Sequence, residues 1–180
     1  MVDTSYLLAL ARESIRARLE HRQPNISRDK QGLEGDGATF VTLIKQGDLR
    51  GCIGSIIAFR PLIDDVVANA QAAAFEDPRF LPLTLEELPY TEIEISILTK
   101  PQEVSYETWD ELRNIIVPFE DGVILRLGSH QATFLPQVWE QLPDFEQFFL
   151  ALSEKSGFRG DIFSEHPLIE VYHVQKFRES

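Results

Sequence analysis

Residues 5–21 place Leu7, Leu8, Ala11, Ile15 and Leu19 at helical spacing, with Arg12, Glu13, Arg16 and Glu20 between them. That is one apolar stripe on an amphipathic helix, with Thr4 as the expected N-cap and Pro24 as the stop. Residues 23–38 are rich in Gly, Asp and Asn and predict a long connection. The pattern then changes period. Thr39–Lys45 and Leu49–Ala58 are rich in β-branched residues and flank Gln46-Gly47-Asp48, which predicts a hairpin. Pro61 opens a second helix running to about Glu76, with Leu62, Val66, Ala70 and Ala73 on one face, and Asp77-Pro78 ends it. Thr84-Leu85-Glu86-Glu87 reads as a capping box. In residues 91–98, Ile93, Ile95 and Ile97 alternate with Glu92, Glu94 and Ser96, the period of a strand.

The second half repeats this grammar. Thr108 or Ser105 caps a helix to about Ile116. Gly122–Leu127 and Gln131–Leu135 form a hairpin around Gly128-Ser129-His130. A helical segment begins near Trp139, and Asp144 caps another helix with Phe145, Phe148, Phe149 and Leu152 inward and Gly157 at its end. Residues 169–177 predict a last strand. Hairpins mixed with helices, without strict β-α alternation, indicate an α+β fold. No repeat or linker divides the chain, so residues 1–180 are expected to form one domain, at most with a larger and a smaller lobe.

The 180 residues carry 17 Lys+Arg against 29 Asp+Glu, a net charge of −12. This excess of acid disfavours nucleic acid and anionic membranes as partners, since both are bound largely through Lys and Arg. One cysteine excludes an internal disulfide and fits a reducing, cytoplasmic setting. The N-terminus lacks a leader pattern, and no apolar run approaches a membrane span. His21, His130, His166 and His173 are not at metal-ligand spacing, and neither a Walker loop nor a Gly-x-Gly-x-x-Gly is present. No metal or cofactor is therefore expected. The chain is expected to be a monomer or weak homodimer.

Candidate chemistry concentrates at Leu49-Arg50-Gly51-Cys52-Ile53-Gly54. In a regular strand Arg50, Cys52 and Gly54 share a face, with Arg50 and Cys52 about 7 Å apart. A guanidinium there favours the thiolate, as a nucleophilic cysteine needs. The competing reading is a small buried hydrophobe. Gly51 and Gly54 clear room for a ligand or for another backbone, or mark a bulge. Asp77 and Arg79 lie on the turn that Pro78 makes; either Arg79 holds a carboxylate or phosphate, or the two brace the turn. Glu94 either faces Arg50 from a neighbouring strand or belongs to a solvated face. Gln137 either donates to a ligand or caps the helix that follows. His173 is a base for Cys52 only if the fold joins them.

The segments LRGCIGSI, NAQAAAFEDPRF, EIEISIL and ATFLPQVWEQLPDFEQFFLAL, in this order, resemble the AMMECR domain family over nearly the whole chain. The resemblance implies an α+β fold with a sheet flanked by helices and a smaller lobe. It also implies company: such proteins are encoded near, or fused to, a Memo-like protein and a radical S-adenosylmethionine protein, the AmmeMemoRadiSam system. The family signature maps onto Leu49–Gly54. Without a three-cysteine cluster this chain is not the radical-generating member. Two expectations follow. One is an accessory or catalytic partner whose cleft holds a small anionic substrate between Arg50, Arg79 and the nucleophile Cys52. The other is a non-catalytic scaffold for a peptide, an RNA or a partner protein.

Overall fold

A computed structural model describes residues 1–30 and 32–180. The expected connection 23–38 includes residue 31, which lies outside the described residues. The chain forms two compact units, Met1–Leu98 with Gln175–Ser180, and Thr99–Val174.

In the first unit, α1 (Thr4–Leu19) is capped by Asp3, whose carboxylate accepts from the Tyr6 N–H at 3.0 Å. The cap thus lies one residue before the expected Thr4. Strands β1 (Ala38–Lys45) and β2 (Asp48–Gly54) pair antiparallel. Gln46 and Gly47 both have positive φ, 53° and 87°, the backbone a tight two-residue hairpin turn requires. Next come α2 (Leu62–Phe75), a short 3-10 turn at Leu88–Tyr90 and β3 (Thr91–Leu98). The sheet is ordered β2-β1-β3-β8, where β8 is Val174–Arg178. Leu7, Leu10, Ile15, Val41, Leu43, Val66, Ala70, Ile93 and Ile95 form the core between helices and sheet. Removing such side chains from water, at about 25 cal/mol per Å² of apolar surface, is the main stabilising term.

The predicted strand Leu49–Ala58 stops at Gly54. Beyond it the chain bends over a buried carboxylate. Asp65 accepts from the Thr39 N–H and hydroxyl, the Ser55 hydroxyl, the Asn69 amide and Arg60 Nε, at 2.7–3.0 Å. A buried charge needs such a full set of donors.

In the second unit, β4 (Gln102–Glu103), β7 (Leu168–Tyr172), β5 (Gly122–Leu127) and β6 (His130–Phe134) form an antiparallel sheet in that order. Helices α3 (Trp109–Ile115) and α4 (Phe145–Lys155) carry their predicted caps, Thr108 and Asp144. Trp139 stacks on Phe148 at 3.6 Å, within a core that also holds Phe149, Leu125 and Ile169. The last expected strand, 169–177, is two strands: β7 belongs to this sheet and β8 to the first, with a break at His173.

Candidate functional site

Strand β2 is the edge of the first sheet, so one row of its backbone groups has no strand partner. Cys52 is paired with Thr42, and its own N–H and C=O point outward from that pair. The turn after α2 covers them. Asp77, with a side chain only 2% exposed, accepts from the Cys52 N–H at 2.9 Å. It also accepts from Arg79 Nε at 3.0 Å, Arg79 Nη2 at 2.7 Å and the Arg79 N–H at 3.1 Å. Arg79 Nη2 lies 3.4 Å from the Cys52 carbonyl. The sequence explains this placement: Pro78 ends α2 and turns Asp77 back onto the edge strand. Donation by Arg79, joined by the Cys52 and Arg79 N–H groups, outweighs burial and holds Asp77 well below the usual carboxylate range. Reciprocally, Asp77 raises Arg79 above its ordinary value, and the Cys52 side chain adds a smaller contribution of the same sign. The turn is therefore braced as one of the two readings expected, while the Arg79 side chain remains 54% exposed.

Arg50 is not the neighbour of the thiol that a regular strand predicts. The β1–β2 register passes from Leu43 opposite Gly51 to Ile44 opposite Leu49, leaving Arg50 as an extra residue in a bulge. Its guanidinium donates through Nε and Nη2 to Glu87, each at 3.1 Å, and through Nη2 to the Leu81 carbonyl at 2.9 Å. The Arg50 side chain is 13% exposed, and Nη1 is buried with no hydrogen-bond partner among the described residues. Donation by Arg50, then by Lys45 and the Thr84 N–H, holds Glu87 at about 2 against the effect of burial. Glu87 thus closes the predicted capping box and also engages Arg50, and only the first role was visible in its spacing.

Cys52 is half-buried, and its sulfur accepts from the Thr42 hydroxyl at 3.2 Å. A Cβ at Gly51 would collide with the Ala73 carbonyl oxygen, so the room there admits the α2 backbone. At Gly54 the space is filled by the Phe40 ring. Glu94 does not meet Arg50, because β1 lies between β2 and β3. It pairs instead with Lys176 at 3.6 Å and Arg178 at 4.0 Å on β8. Gln137 and His173 belong to the second unit. Gln137 is exposed in the 3-10 segment Pro136–Glu140, and His173 Nε2 lies 2.9 Å from Asp121. The set brought together is therefore Cys52, Asp77 and Arg79 with Thr42, and, beside it, Arg50 with Glu87. No group of three or more His, Cys, Asp or Glu able to hold a metal occurs among the described residues. Among them, no helix is long and apolar enough to cross a membrane.

The sequence and the fold are shared with known proteins. The AMMECR1 family model matches residues 8–177. The chain belongs to the AMMECR1 family. A protein of Saccharolobus islandicus is 36% identical over 97% of this chain and 81% of its own length. One from Sulfolobus acidocaldarius is 38% identical over 96% and 80% respectively. The crystal structure of an uncharacterized protein from Pyrococcus horikoshii has a TM-score of 0.85 and 29% identity, covering 97% of this chain and 90% of that one.

Proposed function

We propose that the protein is an anion-binding accessory component of a modification pathway run by a Memo-like protein and a radical S-adenosylmethionine protein. Arg79 holds a carboxylate or phosphate of the ligand beside Cys52. The observation that carries this reading is the state of Arg79. Its guanidinium is more than half exposed, yet Nε and Nη2 are fixed on a buried carboxylate. Nη1 makes no hydrogen bond among the described residues. A fixed guanidinium loses little freedom when it binds an oxyanion. Arg50, committed to Glu87, is the weaker candidate for this task. The first unit's histidine is His21, next to the end of α1, and Thr42 donates to the thiol; the set favours holding a ligand over a self-contained acyl or group transfer.

The test is a titration with inorganic phosphate followed by NMR of the Arg side-chain Nε–H and backbone amides. Saturable shifts at Arg79 and Cys52 are expected, weakened about tenfold in Arg79→Lys, which cannot present a planar fork. Absence of saturation, or equal affinity in the variant, would refute the reading.

A further inference from the structure

Helix α4 ends at Lys155, and the chain turns back through Gly157, whose φ of 85° lies in the left-handed region that glycine adopts without strain. The loop 157–160 and the last turns of α4 border a cavity of about 440 Å³. That volume lies within the roughly 300–1,000 Å³ common for small-molecule sites. Leu150, Ser153 and Glu154 reach it from α4, at the spacings of three and four that share a helix face. Phe158, Arg159 and Gly160 reach it from the loop. A Cβ at Gly160 would overlap the Phe158 ring, so its absence lets that ring lie on the loop's own backbone. All of these residues belong to the second unit, whereas Cys52 and Arg79 belong to the first.

Three polar side chains there are uncommitted. Ser153 is only 4% exposed, yet its hydroxyl makes no hydrogen bond among the described residues; its carbonyl is the group that Ser156 engages. A buried hydroxyl without a partner costs free energy that a ligand can recover. Glu154 and Arg159 carry opposite charges on the same cavity, and no ion pair joins them. Nor does a neighbour in the chain quench either one. The Lys155 ammonium donates to the Thr133 carbonyl at 2.8 Å and lies over the Phe134 ring. Asp161 accepts from the Phe163 N–H at 3.0 Å and from the Ser164 hydroxyl at 2.8 Å. The cavity therefore offers a free carboxylate and a free guanidinium, too far apart to pair, beside the exposed Leu150 and the half-buried Phe158.

We propose that this cavity binds a small zwitterion, an α-amino acid with an apolar side chain. Arg159 holds the ligand's carboxylate through its planar fork. Glu154 holds the ammonium, which the negative end of the α4 dipole also favours. The Ser153 hydroxyl supplies a third polar contact, and the ligand's side chain lies on Leu150 and Phe158. A ligand with a single charge meets only one of the two partners and leaves the other without a counter-charge.

Leucine is the probe, with N-acetyl-leucine and leucinamide, each lacking one of its two charges, as controls. Calorimetric titration of the full chain at neutral pH reads affinity, and amide NMR locates the site. Wild type is expected to bind leucine saturably, with shifts at residues 150–160. Either control should bind about tenfold more weakly, the loss of one charge-assisted contact. Arg159→Gln should weaken leucine about tenfold and leave leucinamide unchanged. Glu154→Gln should weaken leucine by a similar factor and leave N-acetyl-leucine unchanged. Ser153→Ala removes an unpartnered hydroxyl, so it should keep the fold and weaken leucine about threefold. No saturable leucine binding, shifts confined to other residues, or controls that bind as tightly as leucine overturns the proposal. Unchanged leucine affinity in either charge variant, or a charge variant that weakens leucine and both controls alike, overturns it as well. Unchanged affinity in Ser153→Ala overturns the part given to the hydroxyl.

Discussion

Replacing Asp77 by Ala removes the acceptor of four hydrogen bonds: one from Cys52 and three from Arg79. A net bond from a backbone N–H to a charged acceptor contributes about 1.5–3 kcal/mol. The Arg79 pair adds about 0–1 kcal/mol, because its guanidinium is largely in water. Asp77→Ala should therefore cost about 2–4 kcal/mol, and Asp77→Asn, which keeps one acceptor oxygen, about 1–2 kcal/mol. The loss belongs to the first unit. Both tryptophans, Trp109 and Trp139, lie in the second, so their fluorescence is a poor reporter. Native-state hydrogen exchange on peptides from β2 and α2 reads the right region, with β5 and β6 as the internal reference. The pH dependence adds a second readout. The folded-state Asp77 carboxyl is held below its unfolded value near 3.9. The stability it contributes is present above that value and is lost as pH falls towards the folded one. The gap between wild type and Asp77→Asn should accordingly close below about pH 4. An Asp77→Ala protein within about 0.5 kcal/mol of wild type in β2 and α2 would refute the staple.

Glu87→Gln should cost about 1–2 kcal/mol at neutral pH, allowing for partial solvent screening. Because Glu87 is held at about 2, wild type should lose its advantage over this variant as pH falls from about 4.5 towards 2, measured by acid-titrated circular dichroism. Gly51→Ala forces the new Cβ against the Ala73 carbonyl and should destabilise the first unit by about 1–3 kcal/mol in urea melts, whereas equal stability would remove the close approach of β2 and α2. Native co-purification from cells should recover a Memo-like and a radical S-adenosylmethionine protein with this chain, and consistent recovery of neither under mild conditions would contradict the proposed company.

The parts of the fold legible in the sequence are those set by local pattern. The β1–β2 hairpin followed from β-branched runs around Gln46-Gly47, and α2 from its Pro61 start, its apolar face and its Asp77-Pro78 end. What was hidden depends on partners distant in sequence. A bulge is one reading of Gly51 and Gly54, but its position at Arg50 arises from the register of two strands, which alternation in one strand does not show. It moves Arg50 to Glu87 and leaves Arg79 as the cation beside Cys52. Tyr172-His173-Val174 keeps the composition of a strand, so the passage from one sheet to the other left no signal there. Glu94 found its cations on β8, at the far end of the chain. The buried Asp65 cluster was missed, although Asp65 and Asn69 four residues apart on an otherwise apolar helix face were a usable sign.

The most direct test of the central claim compares alkylation of Cys52 by iodoacetate and by iodoacetamide, in wild type and Arg79→Ala. The two reagents have the same leaving group and differ in the charge they bring to the thiol. If Arg79 presents its positive charge to a ligand beside Cys52, wild type favours the anionic reagent. The iodoacetate-to-iodoacetamide rate ratio should then fall several-fold in Arg79→Ala, by more than in Arg50→Ala. A ratio unchanged by loss of Arg79, or lowered equally by loss of Arg50, would contradict it.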